Sequence, residues 1–243
     1  MSFIDSFNQL SKTPSFLRSG RMFSFHLFLF KKIAREISLK LNLKKEDKIL
    51  DVGSGTGDIT QYIFPCSSIT LSDNAPSALF IARQKKFFCP TDFKIVDLNK
   101  KLDFPNNQFS AVICYSVIHY LDNYNSLEKL FFELIRTTSP GGRILIGDIP
   151  LRDKYEANLK HRQSRPIINF IKNIQYYIKK ETTNFFYRFY KINTAPSSLV
   201  ITKPLLESIL KNTPEIRRFS FLKQSSSLPF SDSREDLIIE KCL

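Results

Sequence analysis

The sequence predicts an α/β domain built on a doubly wound, mostly parallel sheet, with a C-terminal antiparallel hairpin and a helical insertion. Three observations support this. Short apolar runs alternate with helix-period segments between residues 48 and 147, the pattern of strand–helix–strand units. The first run ends in a glycine loop, Gly53-Ser54-Gly55-Thr56-Gly57. The chain has 243 residues and only 7 glycines, against about 17 at average usage. Apart from Gly20, they fall at 53–57 and at 141–147. A chain this poor in glycine keeps it where the backbone needs it.

The elements read as follows. Residues 1–45 are a lead ending in a helix over 26–41, with Leu27, Phe30, Ile33, Ala34, Ile37 and Leu41 on one face. Lys48–Val52 is a buried strand, and a helix is expected after Gly57. Ser68–Ser72 is a second strand, and Pro76–Lys86 is a helix with proline in its first turn. Strands follow at Phe93–Val96 and Ser110–Tyr115, then a helix at Leu127–Thr137. The Pro140-Gly141-Gly142 turn leads into a fifth strand, Arg143–Gly147. Residues 151–200 break the alternation with a helical run, 166–180, and an aromatic cluster, Phe185, Phe186, Tyr187, Phe189 and Tyr190. A helix near 203–211 precedes strands 217–222 and 236–240, which can pair as a hairpin.

Composition narrows the class. Hydrophobic residues make up 42% and charged residues 24%, which excludes wholesale disorder. No apolar run approaches the ~18 residues of a membrane span. The N-terminus lacks the basic and small-residue features of a secretory signal. Cys66, Cys89, Cys114 and Cys242 match no zinc or redox spacing. They are expected to be buried thiols of a cytoplasmic protein with no metal site. The net charge of +13 is uneven. Residues 1–50 carry 10 basic and 4 acidic groups, residues 51–150 carry 9 and 10, residues 151–200 carry 10 and 3, and residues 201–243 carry 7 and 6. Either a basic surface faces an anionic partner, or the lysines reflect an AT-rich genome.

The glycine loop joins a strand to the segment after it, so it can bring main-chain N–H groups against a ligand. Its spacing is G-x-G-x-G closed by Asp58, not the G-x-G-x-x-G of dinucleotide sites or the Gly-Lys-Ser/Thr of a P-loop. An acid there repels a pyrophosphate and suits a cationic, amino-acid-like ligand. Asp73 ends the second strand about 20 residues after Gly53, where doubly wound folds hold ribose hydroxyls. Asp97 ends the third strand, placed to accept from an adenine amine, with Leu98 to pack on the ring. Asp97 as a helix cap is the structural alternative.

These residues resemble the class I S-adenosylmethionine-dependent methyltransferases. The likeness runs through Asp51–Asp58, Leu71-Ser72-Asp73 with Pro76, and Asp97-Leu98. It continues through 104–112, Ser116-Val117-Ile118-His119-Tyr120 and Ser139-Pro140-Gly141-Gly142-Arg143. It covers about residues 45–150, and more weakly 203–243. It implies a seven-stranded, Rossmann-like sheet and S-adenosyl-L-methionine as cofactor. Residues 1–243 then form a single methyltransferase domain: lead 1–45, cofactor-binding core 46–150, helical lid 151–200, and helix and hairpin 201–243. The resemblance implies that Gly53, Ser54, Gly55 and Gly57 shape the methionine pocket, with Asp51 orienting the loop. Asp73, with Asn74 beside it, would bind the ribose. Asp97 and Leu98 would hold adenine, and Tyr115 and Ser116 would line the methionine end. Ser72 departs from the family, which usually has a small apolar residue there.

The acceptor is less legible. A hydroxyl nucleophile needs a base, and two candidates end strands over the expected site: His119 and Asp148. Gly147 beside Asp148 suggests a tight backbone approach. Cys114-Tyr115-Ser116-Val117 stands where base-amine methyltransferases carry Asn/Asp-Pro-Pro-Tyr/Phe, which argues against that class. The lid is expected to supply the acceptor pocket, with Arg162, Arg165, Lys179, Lys180 and Arg188 as anion contacts. The favoured reading is O-methylation of a small acceptor, a sugar or nucleotide-linked sugar. The alternatives are an RNA or protein methyltransferase using the basic flanks and a non-catalytic cofactor-binding scaffold. The expected partner is thus a small molecule, anionic or saccharide, with nucleic acid less favoured and a homodimer compatible.

Overall fold

The computed structural model describes residues 26–157, 199–226 and 231–243, together with Asp5, Asn8, Gln9, Ser11, Thr13, Glu181 and Leu228. Helix α1 (His26–Lys40) buries Phe30, Ile33, Ala34 and Ile37 on one stripe and leaves Phe28 and Leu39 exposed on the other. Strand β1 is Lys48–Val52 and β2 is Ser68–Asp73. Helix α2 (Pro76–Ala82) has its proline in the first turn, as expected. Strands β3 (Thr91–Ile95) and β4 (Phe109–Tyr115) follow. Helix α3 (Tyr124–Thr137) is capped by Asn123, whose side chain accepts from the Ser126 N–H. Strand β5 (Thr138–Pro150), helix α4 (Lys203–Lys211), and strands β6 (Ile216–Lys223) and β7 (Arg234–Lys241) complete the described chain.

The seven strands form one sheet in the order β3-β2-β1-β4-β5-β7-β6. Strands β1 to β5 are parallel neighbours, and β7 runs antiparallel between β5 and β6. The expected Rossmann-like class and terminal hairpin are therefore present. Successive side chains of each strand point to opposite faces. On one face Leu50, Val52, Val112 and Cys114 pack with α3 and α4. On the other, Ile49, Leu71, Ala111 and Ile113 pack with α1 and α2. The strand order reverses between β1 and β4, and in open α/β sheets ligands bind at the C-terminal strand ends of such a switch point.

Four expectations change. The helix after Gly57 is a single 3₁₀ turn, Thr60–Tyr62. Pro65 follows three residues later and cannot continue a helix. Helix α2 stops at Ala82, short of Lys86. Strand β5 begins before the Pro-Gly-Gly turn: its register to β4 jumps from Thr138 to Arg143, so 139–142 bulge out. Lastly, Cys66 and Cys89 are not free thiols; they form a disulfide. They precede β2 and β3, which are parallel neighbours, so their Cα atoms lie 6.3 Å apart. Cys114 is a buried thiol, as expected, and Cys242 is partly exposed. The helical run 166–180, the aromatic cluster and the five lid cations lie outside the described residues. Among the described residues no helix is long and apolar enough to cross a membrane, and no His/Cys/Asp/Glu group could hold a metal ion.

Candidate cofactor and acceptor site

The loop after β1 is built across the end of β2. The N–H groups of Gly53 and Ser54 both donate to the Ser72 carbonyl, at 2.8 and 3.0 Å. Gly53 has φ +72°, and a Cβ there would lie 2.5 Å from Val117 Cγ2. The loop therefore packs against the turn after β4 only through a bare Cα. Gly55, at φ +56°, faces open space. Gly57 lies against Leu71 and Phe87, a packing role. Asp58, expected to face a cationic ligand, instead pairs with Lys85 and accepts from the Thr56 hydroxyl. Its charge is met within the protein.

Asp73 ties this loop to β2. Its Oδ2 accepts the Gly55 N–H at 2.8 Å and its Oδ1 accepts the Ala75 N–H at 2.9 Å. Burial pushes its carboxyl up, and the N–H groups of Ala75, Gly55 and Asn74 pull it back. Asp51 is buried on β1 and accepts from the Thr60 hydroxyl. Ser72, the departure from the family pattern, is buried and donates to the Asp51 carbonyl at 3.1 Å. Asp97, at the end of β3, is a third exposed on its side chain. Burial would raise its carboxyl, but Lys100 and the Asn99 N–H outweigh that and hold it low. It closes a turn onto the Asn99 N–H at 3.0 Å rather than capping a helix. Leu98 belongs to the core on the α3 side.

These residues fit a nucleoside with a cationic tail. Open space lies beside Gly55, and the Ser54 hydroxyl is buried with no hydrogen-bond partner among the described residues. Burial, opposed by Thr60 and reinforced by Asp73, pushes the Asp51 carboxyl up to about 7. Because this lies above the ordinary value of 3.8, the folded state holds a proton that the unfolded state has lost between the two values. Stability from it is present in acid and is lost as pH rises through about 7. Urea unfolding from about pH 5 to about pH 8 should therefore show a flatter profile for Asp51→Asn than for the parent. Parallel profiles would mean that Asp51 is ionised throughout.

The ends of β4 and β5 hold the second half. Tyr115 is opposite Gly147 in the sheet, and a Cβ on Gly147 would lie 2.2 Å from Tyr115 Cδ2. That is the close approach expected at Gly147, and it is made by the Tyr115 ring. Gly147→Ala should therefore cost about 1–3 kcal/mol by overpacking. Adding Tyr115→Ala should recover part of it in a double-mutant cycle of thermal unfolding; strict additivity would refute the contact. Ser116 has φ +63° and donates its N–H to the Gly147 carbonyl at 2.9 Å.

His119 lies on a 3₁₀ turn, Ile118–Tyr120, and is buried. Burial, then the Arg234 charge, pushes its imidazole down to about 4, against the opposing pull of Asp148. Asp148 is buried at φ +58°, a left-handed conformation held by its neighbours. It pairs with Arg234, and its N–H donates to Asp236 Oδ1 at 2.8 Å. Gln224 reaches Tyr115 Oη and Asp148 Oδ1 at 3.4 Å each and Asp236 Oδ1 at 2.8 Å. Lys40 on α1 closes the cluster on Asp236 Oδ2 at 2.6 Å. Sequence reasoning missed Arg234, Gln224, Asp236 and Lys40 as site residues. The one available signal was an acidic pair, Glu235-Asp236, just before the apolar run Leu237-Ile238-Ile239.

Fold and loop together resemble those of class I S-adenosylmethionine-dependent methyltransferases. Residues 50–146 match the family described as "Methyltransferase domain". The chain is 31% identical over 133 residues to a demethylmenaquinone methyltransferase of Thermus thermophilus, covering 53% of this chain and 59% of that protein. It is 31% identical over 114 residues to a ubiquinone/menaquinone biosynthesis C-methyltransferase of Francisella philomiragia, covering 44% of each. The chain thus spans about half the length of the curated relatives it matches. In structure it resembles the N-methyltransferase NodS of Bradyrhizobium japonicum in complex with S-adenosyl-L-homocysteine. That likeness has TM-score 0.59 and 13% identity over 99% of both chains. A Leishmania major methyltransferase gives TM-score 0.62 and 13% identity over 98% of this chain and 82% of that one.

Proposed function

We propose that the protein methylates a hydroxyl-bearing small molecule held over the C-terminal ends of β4 and β5. The supporting observation is the placement of a buried His119 on the turn after β4, where it feels the buried Asp148–Arg234 pair at the end of β5. S-adenosylmethionine, when bound, supplies a methyl carbon activated by its sulfonium. Asp73 would bind the ribose hydroxyls, Asp97 would take the adenine amine, and the Ser54 hydroxyl would serve the methionine end. His119 is neutral at physiological pH and would accept the proton of the acceptor's hydroxyl. Asp148 is engaged by Arg234 and Gln224, so its role is to hold Arg234 at the site's edge. Arg234 in turn suits an anionic acceptor.

The first acceptor class is a sugar or nucleotide-linked sugar methylated on oxygen. It is supported by the aromatic residues and excess of basic groups in 151–200. A ring carbon beside a phenolic hydroxyl is the second reading, suggested by the names of the quinone-biosynthesis relatives. Mass spectrometry across nucleotide sugars and a soluble naphthoquinol should show a gain of one CH₂ on one class, and NMR then separates O-methyl from C-methyl. His119→Ala should lower kcat by about 10²-fold while leaving cofactor affinity unchanged. A His119→Ala enzyme with full kcat would remove the proposed base. Failure of millimolar S-adenosylhomocysteine to shift thermal stability would sink the whole reading.

A further inference from the structure

Opposite the α3–α4 face, α1 and the loops before β2 and β3 enclose a groove of about 680 Å³. Its walls are apolar: Leu39 and Leu43 on one side, Phe64, Pro65 and Phe88 on the other. Phe64 and Phe88 are in ring contact at 5.9 Å. The Cys66–Cys89 disulfide ties the two loops that carry them. Phe64 is 55% exposed, Phe88 67% and Leu39 68%. Phe28, 71% exposed, lies on the same stripe of α1 as Lys31, Arg35 and Leu39 at helical spacing. Isolated exposed apolar residues need no explanation, but a contiguous set does.

The groove's charge is of one sign. Lys31 and Arg35 line it, and among the described residues no acidic one does. The Lys31 ammonium lies 5.5 Å from the centre of the Tyr62 ring, and Lys31 and Arg35 are both exposed. A second copy of the chain seated isologously would bring these cations against themselves. A surface that combines exposed apolar rings with exposed cations suits a headgroup layer, where rings can reach the acyl boundary and cations can meet phosphate. We propose that this face docks on an anionic phospholipid bilayer. The inference stands apart from the methyl-transfer reading, since it uses none of its residues.

The test is cosedimentation of the full chain with phosphatidylcholine vesicles, with and without phosphatidylglycerol. Binding is expected only with phosphatidylglycerol and should fade as salt screens the cations. Lys31→Gln/Arg35→Gln should weaken partitioning about tenfold or more. Phe64→Ser/Phe88→Ser should weaken it similarly without changing net charge. If that pair proves poorly folded by thermal melt, Leu39→Gln at an exposed helical position replaces it and should weaken binding about threefold or more. A charge-matched control on the opposite face, Lys129→Gln/Lys211→Gln, should bind like the parent. Equal loss in the control, undiminished binding in the groove variants, or no binding at low salt would each overturn the proposal. So would a dimer in solution that only the groove variants dissociate.

Discussion

Asp73→Ala is expected to weaken S-adenosylmethionine binding by about 10²-fold or more, since two hydrogen bonds to a charged acceptor contribute about 1.5 kcal/mol or more each. The side chain also holds the Gly55 and Ala75 N–H groups, at 2.8 and 2.9 Å. Alanine therefore leaves two partly buried donors without their acceptor, at about 1–3 kcal/mol each. Relief of the buried carboxyl offsets part of that loss, because burial is the first cause of its raised pKa. Asp73→Asn separates the two effects: it keeps one acceptor for the loop and loses the charge that favours ribose. Calorimetric titration with S-adenosylhomocysteine should show both variants weakened, with the asparagine form the more stable. A folded Asp73→Asn protein with the parent's Kd would refute the ribose assignment.

The second large effect is on stability. Arg234→Ala removes the cation paired with a buried Asp148 whose backbone already donates to a second buried carboxylate, Asp236. Breaking a buried pair from one side costs about 3–5 kcal/mol. For a chain of this size that lowers Tm by roughly 10 °C. Lys40 and Gln224 still serve Asp236, at 2.6 and 2.8 Å, so the loss should be confined to Asp148. Arg234→Ala with Asp148→Asn should recover much of it, because no charge is then left without its partner. A single Arg234→Ala variant melting with the parent would mean that Asp148 is served elsewhere.

The loop and strand-end acids of the candidate cofactor site could be placed from sequence, because their signals are local. A glycine loop after a short apolar run, an acid at the next strand end and another at the third are set by turns and periodicity within short stretches. The same locality misled at Asp58: its position in the loop is readable, its partner Lys85 is not. The acceptor half was half legible. His119 and Asp148 follow strands and could be found by spacing, but Arg234 and Gln224 come from the terminal hairpin and the loop before it. The disulfide was missed for the same reason: Cys66 and Cys89 are 23 residues apart and meet because β2 and β3 are neighbours.

The sequence by itself determined the class of the sheet, the place of the glycine loop and the acids at three strand ends. Hydrophobic period and turn geometry act over a few residues, and those suffice for it. Only the tertiary structure decided what Gly147 is for, which acids are already met by a cation, and which residues join Asp148. The Tyr115 ring lies on Gly147 because β4 and β5 are adjacent in register. Asp148 meets Arg234 because β7 enters the sheet antiparallel beside β5. Strand order and register are set by the summed burial of two core faces, and no short stretch of chain carries that sum.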